Sequence, residues 1–310
     1  MTPTVTIVIP TWNRAHSIGA AVDAALGQSH AALSVLVVDD GSTDGTRAAL
    51  GPRLHDPRLS YARLARNAGT AQAKNVGIAL ARGKAVTFHD SDDIPHRDKV
   101  LRQARVIGNP TIGAHPCLNW RLTGREPGTR VQVGAVLTHH ELILPDGSRV
   151  EIRRTLSLVD DVFPNLQMAA GVPGDWTHVN SGLFHRSVFD RLGGFADCIE
   201  EDREFRNRLI LSGEVVWVIP EILLTKIETP DSLTQSGATD YDSPRRTQDR
   251  QRVWGAVEEW FRTRTVAPAP IDLSGLALAE LTRPELCDTG RAAGMGLRLP
   301  DTRKPLAGVA

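Results

Sequence analysis

An α/β fold with a parallel sheet is predicted by two features of the first 107 residues. Short β-branched runs alternate with segments of helical periodicity in the order β-α-β-α-β-α-β. Several of those runs break off into polar or acidic residues. The alternation implies helices on both faces of the sheet. Right-handed crossovers then bring the strand-end loops to one rim, where ligands of open α/β sheets bind.

The first run, Val5-Thr6-Ile7-Val8-Ile9, reads as a buried strand ended by Pro10-Thr11-Trp12-Asn13. A helix follows, with Ile18, Val22, Ala25 and Leu26 on one face. The second strand, residues 33–38, runs into Asp39-Asp40-Gly41-Ser42-Thr43-Asp44-Gly45-Thr46, two carboxylates followed by turn residues and a helix start. Residues 58–63 form a third strand. Asn67-Ala68-Gly69-Thr70 then leads a helix through Ala73, Lys74, Val76, Ile78 and Leu80, stopped by Gly83.

The fourth strand, Ala85-Val86-Thr87-Phe88, ends in His89-Asp90-Ser91-Asp92-Asp93, with Pro95 and a helix over 96–106 behind it. Clustered carboxylates raise one another's pKa values. A divalent cation relieves that conflict, and oxygen ligands suit Mg²⁺ or Mn²⁺, which complete their shells with substrate phosphates. Taken alone, the cluster supports a metal–diphosphate site or, equally simply, an Asp cap with Pro early in the next helix. The topology draws Trp12, Asp39, Asp40, Asn67, Asp90, Asp92 and Asp93 towards one crevice. Neither G-x-G-x-x-G nor G-x-x-x-x-G-K-[ST] is present, so metal and side chains would hold phosphates.

From about 108 to 175, Pro, Gly and turn residues interrupt short β-type runs at 117–122, 131–137, 141–144 and 150–153, an irregular insertion with antiparallel strands. Pro145-Asp146-Gly147-Ser148 is a hairpin turn. His139-His140, adjacent in a strand, point to opposite faces and read as surface or edge residues. Residues 176–186 form another strand, and Leu192-Gly193-Gly194-Phe195 a tight turn. The next helix carries Phe205, Leu209 and Ile210 on one face and stops at Gly213. Glu200-Glu201-Asp202 at its start reads, from the element alone, as compensation of the helix dipole. A late strand covers 215–220 and a loop 223–234. Residues 236–249 are polar and turn-rich. An amphipathic helix at 250–264 turns Val253, Trp254, Val257, Trp260 and Phe261 towards the domain rather than a membrane. Beyond Val266 periodicity is weak, and the last dozen residues read as disordered.

Lys+Arg and Asp+Glu each total 36, which gives zero formal net charge and no global attraction to nucleic acid or anionic membrane. Cys117, Cys198 and Cys287 are too dispersed for a disulfide framework or thiolate zinc site and fit a reducing compartment. The amino terminus has no basic n-region, its apolar run is too short for a signal sequence, and no run approaches roughly 18 apolar residues. The expectation is a soluble cytoplasmic protein.

These pieces, in this order, resemble family 2 glycosyltransferases of the GT-A fold. The resemblance rests on Val5 through Arg14, Val37-Val38-Asp39-Asp40-Gly41-Ser42-Thr43-Asp44-Gly45-Thr46, Asn67-Ala68-Gly69 with Ala73-Lys74-Asn75, Asp90-Ser91-Asp92-Asp93, Leu192-Gly193-Gly194-Phe195, and Glu201-Asp202 with Arg208-Leu209. It implies a GT-A domain over 1–235, with a nucleotide-binding half at 1–107 and an acceptor half at 108–235, and a C-terminal extension over 236–310 ending in a flexible tail. It also implies roles. Pro10 and Trp12 line the nucleobase pocket, Asp40 accepts a hydrogen bond from the base with Asp39 supporting it, and Lys74 helps hold the donor nucleotide. Asp90 and Asp92 form the D-x-D element near ribose and metal, and Asp93 joins Asp92 as a metal ligand for Mn²⁺ or Mg²⁺. Asp202, in the Glu201-Asp202 pair, is the general base of an inverting transfer from a nucleotide-sugar donor, in particular a UDP-sugar. The acceptor is open between a saccharide, a lipid carrier, a small metabolite and a peptide. One departure stands out. Relatives carry an aromatic-Arg-x-His segment before Ser-Leu-Thr/Ser; here Thr225-Lys226-Ile227-Glu228 precedes Ser232-Leu233-Thr234 and holds no histidine. Glu228 or water would take its place. Two rivals use the same residues: a nucleotidyltransferase, and a catalytically silent nucleotide- or sugar-binding protein.

Overall fold

The computed structural model describes residues 4–108, 132–152, 181–227 and 243–300. In chain order its elements are β1 (Val5–Thr11), α1 (Ile18–Leu26), β2 (Leu33–Asp39), α2 (Thr46–Leu50), β3 (Leu59–Leu64), α3 (Thr70–Leu80), β4 (Ala85–Phe88), β5 (Ile94–Pro95), α4 (Lys99–Ile107), β6 (Ala135–Ile143), β7 (Arg149–Ile152), β8 (Leu183–His185), α5 (Arg186–Leu192), α6 (Glu201–Leu211), β9 (Val216–Ile227), α7 (Pro244–Thr263), β10 (Leu278–Leu281) and α8 (Thr289–Gly294). Among the described residues, all strands join one mixed sheet, in the order β10-β3-β2-β1-β4-β8-β6-β9-β5, with β7 paired to β6.

The parallel heart of this sheet, β3-β2-β1-β4, follows from strands that are apolar on both faces. Successive residues serve opposite cores. Val8, Leu36 and Val38 pack with Val76, Ile78 and Leu80 of α3 on one side. Ile7, Ile9, Val35 and Val37 pack with Ile18 and Val22 of α1 and Val100 and Ala104 of α4 on the other. Parallel pairing and coverage on both faces align the ends of β1, β2 and β4, and so the loops that carry the acids. No described helix is long and apolar enough to cross a membrane.

The second half differs from expectation in several places. The described parts of the runs at 131–137 and 141–144 contribute to one strand, β6, from Ala135 to Ile143, with the expected hairpin turn joining it to β7. His139 and His140 are buried there rather than at a surface or edge, because β6 has neighbours on both sides. The strand expected at 176–186 is confined to Leu183–His185, since Arg186 already opens α5; residues 176–180 lie outside the described residues. The expected loop from 223 is strand as far as Ile227. Pro220 does not end β9, because the register with β6 jumps from Thr138–Ile219 to His139–Ile222 and leaves Pro220 in a bulge. Helix α7 starts at Pro244, with Ser243 capping Arg246 N–H, ahead of the expected 250. Its Val257 and Trp260 pack with Leu211 of α6, so the helix does lie on the domain.

Residues 267–300, for which periodicity assigned no element, complete the first core. Leu273, Leu276, Leu278, Cys287, Ala292 and Leu297 are buried in it, and β10 pairs antiparallel with β3. The chain crosses Gly193 so closely that a Cβ there would stand 1.7 Å from Ala269 O, and Gly193 also has φ +80°. A side chain at this crossing has no room. Of the last dozen residues, expected to be disordered, 301–310 lie outside the described residues, as do the run at 117–122 and Glu228 with Ser232-Leu233-Thr234.

Candidate active site

The end of β1 is zipped to the end of β2. Asn13, at φ +52°, donates its N–H to Ser42 Oγ (2.9 Å), and its Oδ1 accepts from Thr43 N–H (2.8 Å). Arg14 N–H donates to Thr46 Oγ1 at 2.9 Å. This leaves Trp12, 46% exposed, standing beyond buried Pro10 and Thr11 at the rim. Asp39 is fully buried and committed to structure: Oδ1 accepts from Ser42 N–H (2.7 Å) and Oδ2 from Tyr61 Oη–H (2.6 Å). Asp40 accepts backbone N–H bonds from Ala68 (2.7 Å) and Gly69 (2.8 Å), which fixes the Asn67-Ala68-Gly69 loop to β2. Burial, which outweighs those two bonds, raises the Asp40 carboxyl to about 6. Gly41 permits the approach: it has φ +73°, and a Cβ there would lie 2.7 Å from Arg66 C.

After β4, Asp90, Asp92 and Asp93 each turn a carboxylate oxygen into one cluster, all within 4.8 Å of one another. The simple capping alternative fails, because α4 begins at Lys99 and its N-cap position is Asp98. Burial raises the Asp93 carboxyl to about 7, and burial with the charge of Asp90 raises Asp92. Asp93 Oδ2 is buried and has only the long ion pair with Lys226 at 3.5 Å. An all-oxygen donor set of three clustered carboxylates fits Mg²⁺ or Mn²⁺.

Two lysines bear on the cluster. Lys99, buried, donates to Thr87 Oγ1 at 3.3 Å, and burial, against the pull of Asp93, lowers its ammonium to about 7. Lys226 of β9 reaches Asp90 Oδ2 at 3.3 Å and Asp93 Oδ2 at 3.5 Å.

Asp202 sits in the first turn of α6, a third exposed. Lys74 of α3, 2% exposed, donates to Asp202 Oδ1 (2.5 Å) and Glu201 Oε1 (3.1 Å) and lies 5.0 Å from the Phe195 ring centroid. Burial opposes its charge, but Asp202, Glu201 and Asp90 together hold the ammonium above the ordinary lysine value. Burial raises the Glu201 carboxyl to about 7. An aromatic cluster underlies both acid groups: Phe88 ends β4, Phe205 lies in α6, and Phe195 packs between them, edge-on to Phe88 at 5.3 Å and tilted against Phe205 at 4.8 Å.

The acids read from the sequence thus fall in two groups, Asp39–Asp40 in the β2 loop and Asp90, Asp92 and Asp93 after β4, with Asp202 carried in on α6. Lys74 stands with Glu201 and Asp202. No local sequence pattern marks Lys99, and the one signal for Lys226 is its place in the segment that departs from the family pattern.

A mixed sheet with acidic strand ends and a helix-borne carboxylate at one rim is the architecture of the GT-A fold, and solved structures agree in fold. TarS of S. aureus in complex with UDP-GlcNAc matches with TM-score 0.61 and 18% identity over 83% of this chain and 66% of that one. The mannosyltransferase PcManGT of Pyrobaculum calidifontis, in complex with GDP-Man and Mn²⁺, matches with TM-score 0.52 and 22% identity over 87% and 66%. Residues 6–151 match the model of Glycosyl transferase family 2. The succinoglycan biosynthesis protein ExoO of Rhizobium meliloti (strain 1021) is 41% identical over 100 residues, 32% of this chain and 28% of ExoO. The chain therefore spans well under half the length of that relative.

Proposed function

We propose that this glycosyltransferase moves a sugar from a UDP-sugar to an acceptor hydroxyl with inversion at the anomeric carbon, assisted by Mn²⁺ or Mg²⁺. The observation that carries the reading is a pair of lysines between the acids. Lys74 is bonded to Asp202 and Glu201 and also feels the charge of Asp90, and Lys226 is paired with Asp90 and Asp93 and also feels that of Asp202, so the two acid groups lie near each other. In this reading 1–107 is the donor half and 108–235 the acceptor half. UDP is favoured because the TarS complex contains UDP-GlcNAc.

Trp12 and Pro10 border the base, Asp40 accepts from it, and Asp39 holds the loop. Asp90 lies towards the ribose. Asp92 and Asp93 would hold the metal, which when bound supplies Lewis-acid neutralisation of the leaving diphosphate. Lys74 fixes one oxygen of Asp202 and leaves the other to take the acceptor proton. The acceptor oxygen bonds to the anomeric carbon as the sugar–phosphate bond breaks, and that electron pair leaves on the diphosphate. Glu201 shares the lysine and keeps the pair of acids in place. The acceptor is a saccharide, lipid carrier, small metabolite or peptide.

The test is calorimetry with UDP, GDP and dTDP, with and without Mn²⁺, followed by turnover of Asp202→Asn. Selective UDP binding, with kcat lowered about 10²–10⁴-fold in the variant at unchanged UDP affinity, is expected. Full turnover in the variant rejects the base assignment. Pyrophosphate release from a nucleoside triphosphate would identify a nucleotidyltransferase, and no diphosphate binding at all a silent module.

A further inference from the structure

Strand β9 is brought to the carboxylate cluster by β5, which pairs Ile94 with Thr225 and Pro95 with Leu224. That register sets the next residue of β9, Lys226, beside Asp93. Its ammonium lies 3.3 Å from Asp90 Oδ2 and 3.5 Å from Asp93 Oδ2, with the side chain 20% exposed. Burial works against this charge, yet Asp93, Asp90, Asp92 and Asp202 outweigh it. Lys99, the other lysine near Asp93, points its ammonium at Thr87 in the core. Lys226 is thus a cation in ion-pair contact with Asp93, one of the carboxylates that would receive a metal, and with its neighbour Asp90 in the same cluster.

We propose that Lys226 is a built-in counter-cation of Asp90 and Asp93, which competes with a divalent ion in the donor-free protein and turns onto the donor's phosphates when the ion enters. The inference rests on the donor reading above. An ammonium and a divalent cation repel strongly at a few ångströms in a half-buried site, so they cannot share the same two oxygens closely. The lysine has three donors, no acceptor and a flexible four-carbon stem, so it can exchange carboxylate oxygens for phosphate oxygens without losing its charge. Metal entry and diphosphate binding then become coupled: each is favoured once the other has displaced or captured the ammonium.

The test is Mn²⁺ titration by calorimetry of the full chain, of Lys226→Gln and of Lys226→Arg, each with and without UDP, with thermal melts to confirm folding. Without UDP, Lys226→Gln is expected to bind Mn²⁺ at least about tenfold more tightly than the native protein, whereas Lys226→Arg retains the weak binding. UDP is expected to raise Mn²⁺ affinity more in the native protein than in Lys226→Gln. A folded Lys226→Gln whose Mn²⁺ affinity is equal to or weaker than native overturns the proposal and leaves Lys226 a structural ion pair. Should the variants not fold, equal Mn²⁺ affinity of the native protein with and without UDP overturns it as well. Failure of UDP to bind any of the three proteins rejects the donor reading, while the UDP-free Mn²⁺ comparison still decides the role of Lys226.

Discussion

Asp39 and Asp40 are adjacent in sequence and both buried, yet their partners differ in kind. Asp39 takes a side-chain hydroxyl, Tyr61, and one backbone N–H, so its position depends on a residue of the neighbouring strand. Tyr61→Phe leaves a buried carboxylate oxygen without its donor. The expected loss is about 1–3 kcal/mol of stability in a urea melt, with weaker nucleotide binding because the 41–46 loop hangs on Asp39. Asp40 is held by two backbone N–H groups but remains dominated by burial, which raises it from the ordinary 3.8 to about 6. The sign follows from the raised value. Between pH 4 and 6 the unfolded chain has lost this proton and the folded chain keeps it. The contribution is therefore complete below about 3.8 and disappears as pH rises through 6. Asp40→Asn cannot titrate. The stability of the native protein relative to Asp40→Asn should be greater at pH 4 than at pH 7 by on the order of 2 kcal/mol, read from denaturant melts at both values. An unchanged difference would mean that solvent reaches Asp40 in solution.

Helix α6 carries Asp202, and α7 determines where α6 begins. Asp249 Oδ2 accepts Ile199 N–H at 2.9 Å, and Glu200 pairs with Arg203 (2.7 Å) and Arg246 (3.3 Å). The α6 amino terminus is therefore tied down from a helix that follows it by more than thirty residues. Asp249→Ala frees Ile199 N–H and the start of α6. It should lower kcat about tenfold while UDP affinity stays within twofold, because a base displaced by about an ångström loses its geometry but the donor pocket lies elsewhere. A parallel loss of UDP affinity would show that α7 supports the whole domain instead. The same element shows what the sequence could and could not convey. The apolar face of α7 and the strand-end acids Asp39, Asp40, Asp90, Asp92 and Asp93 were legible because periodicity and strand-to-turn junctions are local. The contact of Lys74 with Asp202 and of Lys226 with Asp90 joins residues more than a hundred positions apart, and no local pattern encodes it. Pro220 misled for a related reason: proline ends a strand only where its missing N–H is needed, and a bulge opposite β6 removes that need. His139 and His140 looked peripheral because the number of neighbours β6 acquires depends on the sheet, not on β6.

At the scale of the molecule, the sheet would end at β3, a strand with apolar residues and open backbone groups, were it not for β10. Residues 267–300 pair with that edge, bury Leu273, Leu276 and Leu278 in the core beside α3, and bring Glu280 onto Arg47 of α2 with two bonds of 2.7 and 2.6 Å. Arg47 follows directly on the 41–46 loop, so the late segment clamps the proposed donor side of the crevice as well as closing the sheet. An uncovered edge strand is a template for association with other chains. Removing residues 267–310 should therefore produce a protein that self-associates in size-exclusion chromatography and melts well below the full chain. Glu280→Gln separates the two effects of the segment: it keeps β10 and the core but breaks the charged pair with Arg47. The expected outcome is a monomer of near-native melting temperature whose UDP affinity falls about threefold to tenfold. If the shortened chain is instead monomeric and binds UDP as the full chain does, neither the edge nor the donor loop depends on the late segment.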